Sequence, residues 1–152
     1  MKKGILITVF CLLSLIFVSC SSPYSFMHGV PDIDTIKIEI VNLETNMGYH
    51  EGVDYSEEYI TVIKTIESDK NEEFLSDFKK IKCYQPIVGS RIDSISGKAI
   101  RITYANGDIE LITDYGTATV QNGEIHNSTT TFDSDEFSKL IDNTIDNTNE
   151  IP

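Results

Sequence analysis

The residues with chemical potential are 24 carboxylates, three histidines and three cysteines in 152 residues. His28, His50 and His126 lie far apart along the chain. Isolated histidines at such spacing read as surface residues, so no metal site is expected. Asp133-x-Asp135 is similar to the start of a calcium loop, but the glycine and distal glutamate such a loop needs are missing. Helix capping accounts for the pair without metal. Cys83 has no neighbouring base that would favour its thiolate, and reads as a small buried hydrophobe. The chain carries no G-x-S-x-G, H-E-x-x-H, P-loop or G-x-G-x-x-G pattern. Its carboxylates are too numerous for context to single out an acid–base couple. No catalytic residue, metal or cofactor is therefore expected. What remains is residues 44–58, ETNMGYHEGVDYSEE, the longest irregular stretch inside the domain. Long loops are often functional and tyrosine suits interfaces, which makes Tyr49, His50 and Tyr55 the candidate partner-binding residues.

The amino terminus is informative in a different way. Lys2 and Lys3 precede an uncharged, mostly apolar run at 5–18. That run has signal-peptide length and is short of the ~20 residues that span a bilayer. Phe17-Val18-Ser19-Cys20 follows, with Ser21-Ser22 behind it. The stretch resembles the lipobox of bacterial lipoproteins, with Phe17 where that family usually has Leu. The resemblance implies a signal peptide at 1–19 and a diacylglyceryl group on the Cys20 thiol. It implies a domain anchored to the extracytoplasmic face of the cell membrane, two acyl chains being enough for a stable hold. An ordinary secretory signal cut near Ser22 and an uncleaved anchor are the alternatives. With Cys11 in the signal and Cys20 lipidated, Cys83 is left without a disulfide partner. Removing 1–19 removes two lysines and no acid, leaving ten basic against 24 acidic residues, a net charge of −14. Such a polyanion is a poor ligand for nucleic acid and a reasonable one for a cationic partner.

The elements that would carry these residues follow from periodicity. Residues 20–34 are interrupted by Pro23, Gly29 and Pro31 and read as a tether. Residues 35–43 alternate, with Ile36, Ile38 and Ile40 on one side and Lys37 and Glu39 on the other, which predicts a half-buried strand. Residues 59–67 are rich in Ile, Val and Thr and favour a strand. Asp69-x-x-Glu72 resembles a capping box, and Phe74, Leu75, Phe78 and Ile81 make an apolar stripe with lysines after it, which predicts a helix over 72–82. Residues 98–130 read as an antiparallel meander. With Asn106-Gly107 as a two-residue turn, Tyr104 faces Ile109, Ile102 faces Leu111 and Ile100 faces Thr113. The other face of that hairpin then carries Ala105 and Asp108, Thr103 and Glu110, and Arg101 and Ile112. Asn122-Gly123 repeats the device and sets Val120 opposite Ile125. Asp133 to Glu136 predict a helix start, with Phe137, Leu140 and Ile141 as its apolar stripe.

The expected fold class is therefore α+β: an antiparallel β-meander with helices packed on one face and the other face wet. The expected organisation is signal peptide 1–19, tether 20–34, one domain at 35–143 and a disordered tail at 144–152. The body resembles small uncharacterised lipoproteins of Firmicutes. It shares a helix like 72–82, a Tyr104-Ala105-Asn106-Gly107 turn, and a late helix of the Asp135-Glu136-Phe137…Leu140-Ile141 kind. That resemblance concerns fold motifs and brings no activity with it. The expected function is a lipid-anchored, non-enzymatic binding protein of the bacterial cell envelope. Its partners would be the membrane, through the diacylglyceryl-cysteine, and a protein, with no nucleic acid. The alternatives are an envelope enzyme with a carboxylate-based site, and an inhibitor or immunity-type protein against a cationic partner.

Overall fold

The computed structural model describes residues 23–48, 52–85 and 92–146. Eight strands and two α-helices occur among them. The strands are β1 (Lys37–Met47), β2 (Ile60–Thr65), β3 (Cys83–Tyr84), β4 (Ile95–Thr103), β5 (Ile109–Ile112), β6 (Thr117–Gln121), β7 (Glu124–Ser128) and β8 (Thr131–Phe132). The helices are α1 (Asn71–Phe78) and α2 (Ser134–Asp146). Six strands form one antiparallel sheet in the order β2-β1-β4-β5-β6-β7, and β3 pairs with β8 in a separate ribbon. This is the expected α+β meander with helices.

Both helices lie over one face of the sheet. Ile38 and Ile40 of β1, Ile100 and Ile102 of β4 and Ile112 of β5 meet Phe74, Leu75 and Phe78 of α1 and Phe137 and Ile141 of α2. The apolar stripes anticipated for both helices are thus core. Their ends differ from expectation at α1. A 3-10 turn, Ser68–Lys70, leads into the helix, and Lys70 occupies the cap position with no side-chain cap bond, so Asp69 builds no capping box. The helix stops at Phe78, and Lys79 is already its C-cap. At α2 the expected cap is present: Asp133 Oδ1 accepts from the Glu136 N–H at 3.1 Å. That helix continues through Asp146, three residues past the expected domain limit.

The opposite face of the sheet is not wet. Val41, Leu43, Met47, Ile95, Ala99, Leu111, Ala118, Val120 and Ile125 form a second buried cluster there. Residues 52–60 help to cover it, through Val53, Tyr55, Tyr59 and Ile60. That loop is pinned by its backbone: Val53 N–H donates to Asn46 O at 2.9 Å, and Gly48 N–H to Val53 O at 3.1 Å. A Cβ on Gly48 would lie 1.9 Å from Asp93 O, so only glycine allows this approach.

The first hairpin is shifted by one residue from the expected register. Ile100 pairs with Ile112, Ile102 with Glu110 and Thr103 with Ile109. Its loop holds three residues: Gly107 N–H donates to Tyr104 O and Tyr104 N–H to Asp108 O, each at 2.9 Å. Gly107 has φ +88°. This is a type I turn closed by a left-handed glycine, a loop that Asn-Gly serves as well as it serves a two-residue turn. A slip of one residue exchanges the faces of the whole strand. Glu110 therefore joins the helix-covered core, and Leu111 the second cluster. The second hairpin keeps its expected register, Val120 opposite Ile125, with φ positive at both Asn122 (53°) and Gly123 (84°).

The segment expected as a tether packs on the domain from residue 24 onward. Phe26 is buried, and the Tyr24 ring lies 5.1 Å from Phe26, 5.3 Å from Phe132 and 5.7 Å from Phe78, centroid to centroid.

Candidate functional site

Three places in the fold gather polar chemistry. The first is the helix-covered face around Glu110, whose residue exposure is 1 %. Its Oε1 accepts from the Tyr24 hydroxyl, and its Oε2 from the Tyr104 hydroxyl at 2.5 Å and the Met27 N–H at 3.3 Å. Burial, and then the adjacent carboxylate, push both tyrosine hydroxyls well above their ordinary pKa. Beside this group His28 Nε2 lies 2.8 Å from Asp108 Oδ2, with its ring edge-on to Tyr104 at 4.8 Å. Hydrogen bonds from Asn106, and then from His28 and Gln121, hold the Asp108 carboxyl below its usual range.

The second place is the opposite face. Arg101 on β4 lies across from Glu39 on β1. Glu39 Oε2 accepts from Arg101 Nη2 at 2.7 Å and Nε at 3.0 Å. Its Oε1 meets Lys37 Nζ at 2.7 Å and the Thr65 hydroxyl at 3.2 Å. Arg101 Nη1 reaches Glu57 Oε2 at 2.7 Å, and the Tyr55 hydroxyl donates to Glu57 Oε1. Burial alone would raise the Glu39 pKa, but the Lys37 and Arg101 contacts outweigh it and hold the carboxyl below its ordinary range. For Glu57, too, burial is outweighed, here by Tyr55 and Arg101. Burial works against the Arg101 charge, but Glu57 and Glu39 more than compensate and raise its pKa. Glu39 and Glu110 occupy opposite faces of the sheet, so these two buried carboxylates cannot act on one substrate. Among the described residues no group of three or more His, Cys, Asp and Glu is placed to hold a metal ion.

The third place is open. β2 is an edge of the six-stranded sheet, and Thr61, Val62, Ile63 and Thr65 are all exposed. Val62 is 44 % and Ile63 40 % exposed, two of four large hydrophobic residues so placed among those described. Ile63 is the extra residue of a bulge, because the register with β1 passes from Ile40–Lys64 to Val41–Val62. Next to the strand a groove of about 570 Å³ runs between β2, α1 and α2. Ile66, Phe74 and Leu140 form its apolar wall, and Glu67, Glu73 and Asp77 its acidic rim, with Lys64 and Lys70 among them.

Of the residues singled out from sequence, Cys20, Tyr49 and His50 lie outside the described residues, as does the expected signal peptide at 1–19. Tyr55 is half-buried against the second core cluster, with its hydroxyl on Glu57, rather than presented on an open loop. The structure brings Tyr55 together with Glu57, Arg101 and Glu39. Cys83 is buried, which raises its thiol pKa. Sequence reasoning missed Glu39, Arg101 and Glu110. A signal was there: each is a lone charge between apolar neighbours, in Ile38-Glu39-Ile40, Ile100-Arg101-Ile102 and Ile109-Glu110-Leu111. A strand covered on both faces turns such residues inward, where they need partners. Among the described residues no helix is long and apolar enough to cross a membrane. No family model matches this chain, and no curated protein or solved structure matches it.

Proposed function

We propose that the protein is a non-enzymatic binding module of the bacterial cell envelope, anchored through a diacylglyceryl group on Cys20 at the extracytoplasmic face of the membrane. The observation that carries the binding role is the open β2 edge with Val62 and Ile63 exposed. An unpaired strand edge that exposes apolar side chains is where an extended partner segment can dock. The two buried carboxylate groups, by contrast, are occupied with internal partners and hold the fold together. On this reading the binding surface is the β2 edge. The net charge of −14 after residue 19 favours a cationic partner, which also suits an inhibitor-type role.

The anchor is tested by mass and fractionation. Wild-type chain should partition with membranes and be released by detergent but not by high salt, since acyl anchoring is apolar and salt does not screen it. Its N-terminal peptide should begin at Cys20 and carry a diacylglyceryl increment. Cys20→Ala should yield either an unmodified soluble chain or a heavier uncleaved precursor. An unmodified wild-type N-terminus at Ser21 or later overturns the anchor. The binding role is tested by a photo-crosslinker placed at Thr61 in intact membranes. Discrete adducts should form there and not from a crosslinker at Glu124 on the far edge; equal labelling at both positions overturns the binding role.

A further inference from the structure

We infer that β2 takes an added strand: an extended peptide segment of a partner protein, apolar at its centre and basic at both ends, lies antiparallel along Ile60–Thr65. The inference rests on the reading of the protein as a binding module and specifies what the module binds.

The sheet has two edges, and they are built differently. β7 presents Glu124 and His126 as exposed residues and keeps its one large apolar side chain, Ile125, buried. A carboxylate such as that of Glu124 blunts an edge against further pairing. β2 instead exposes Thr61, Val62, Ile63 and Thr65, β-branched residues well suited to a pleated partner, with Lys64 half-buried among them. No other described strand pairs with its outer side. An incoming strand would gain main-chain hydrogen bonds from that side and apolar contacts from Val62 and Ile63. The bulge at Ile63 breaks the even run of the strand, so it favours a short segment over indefinite edge-to-edge stacking.

Charge selects the occupant. Glu58 precedes the strand, Glu67 and Asp69 follow it, and all three are exposed. A segment with cations at both ends meets carboxylates at both ends. A second copy of this chain would not: antiparallel β2 pairing would set Glu58 of one copy near Glu67 of the other. Like charges so placed oppose the pairing.

The test uses full-length protein in detergent with the synthetic peptide acetyl-KKVTVTVKK-amide as probe and acetyl-EEVTVTVEE-amide as control. Hydrogen exchange should slow at the amides of 60–65 with the basic peptide alone, while 124–128 stays unchanged. Fluorescence anisotropy should show roughly tenfold weaker binding for Val62→Lys, which blunts the edge. Glu58→Lys with Glu67→Lys should weaken the basic peptide and flatten its dependence on salt. Both positions are exposed, and melting curves matching wild type establish that the variants fold. Equal binding of the two peptides, or protection away from β2, overturns the inference. So does concentration-dependent dimerisation that Val62→Lys abolishes, since β2 then pairs with itself. Missing β2 protection alongside intact adducts at Thr61 overturns strand addition alone; loss of both removes the binding role as well.

Discussion

Among the described residues each face of the sheet buries one glutamate, and the two are satisfied by different means. Glu110 rests on neutral donors, two tyrosine hydroxyls and a backbone N–H. Glu39 rests on cations, the Arg101 guanidinium and the Lys37 ammonium. The chemical group is the same, so the difference lies in what surrounds it. The pH limits of the two faces should therefore lie at opposite ends of the scale. Glu39 and Glu57 are held below the ordinary carboxylate pKa of 4.5 in the folded chain. Their contribution is present above about pH 4.5 and fades as the pH falls through their folded values. Tyr24 and Tyr104 are raised above the ordinary 10.0. Their contribution is complete below about pH 10 and is lost as the pH climbs beyond it, because the unfolded chain releases those protons first.

The largest effect should come from Arg101→Ala. It leaves Glu39 buried with Lys37 and the Thr65 hydroxyl as its remaining partners, so denaturant unfolding at pH 7 should show a loss of about 3 kcal/mol. The variant should also lose much of the acid sensitivity just described. An equally steep acid limb in wild type and variant would place that sensitivity elsewhere. Tyr24→Phe should cost about 1–3 kcal/mol, because a buried carboxylate loses one donor. Its diagnostic is alkaline: the fall in stability above pH 10 should become shallower. An unchanged alkaline limb would break the comparison.

Tyr55→Ser sharpens it further. The ring is half-buried on the second cluster, so the change should cost about 1–2 kcal/mol by thermal or denaturant melting. A melt identical to wild type would mean that the loop is mere surface. The smallest effect is expected of Thr65→Val, which removes one hydrogen bond to Glu39 on an exposed strand and should cost about 0.5–1 kcal/mol. A larger loss would show that the cluster depends on its hydroxyl as much as on its charges.

The sheet, both helices and the Asn122-Gly123 hairpin were legible because each rests on local periodicity or turn chemistry. Phe74, Leu75 and Phe78 mark a helix face wherever the helix packs. The Asn106-Gly107 turn was not decidable in the same way, since two loop lengths suit the dipeptide and they assign Glu110 to opposite faces. The second core was hidden for a non-local reason. Val41 and Leu43 look like the wet side of a strand until the chain at 52–60 returns to cover them. The internal role of Tyr55 was hidden with them. The β2 edge was illegible because only topology says which strand of six is last.

The packing of Tyr24 and Phe26 has a mechanical consequence. Four residue steps separate Tyr24 from Cys20, and a fully extended chain covers at most about 3.6 Å per step. A domain held at Cys20 would be moored by a line of about 14 Å, shorter than the roughly 24 Å across six paired strands. It would ride against the headgroups instead of roaming above them, and a partner would have to come to the bilayer to meet it. Any pull along that line would bear first on the ring of Tyr24 and its bond to Glu110. The point of attachment and the centre of the core would then share one load path.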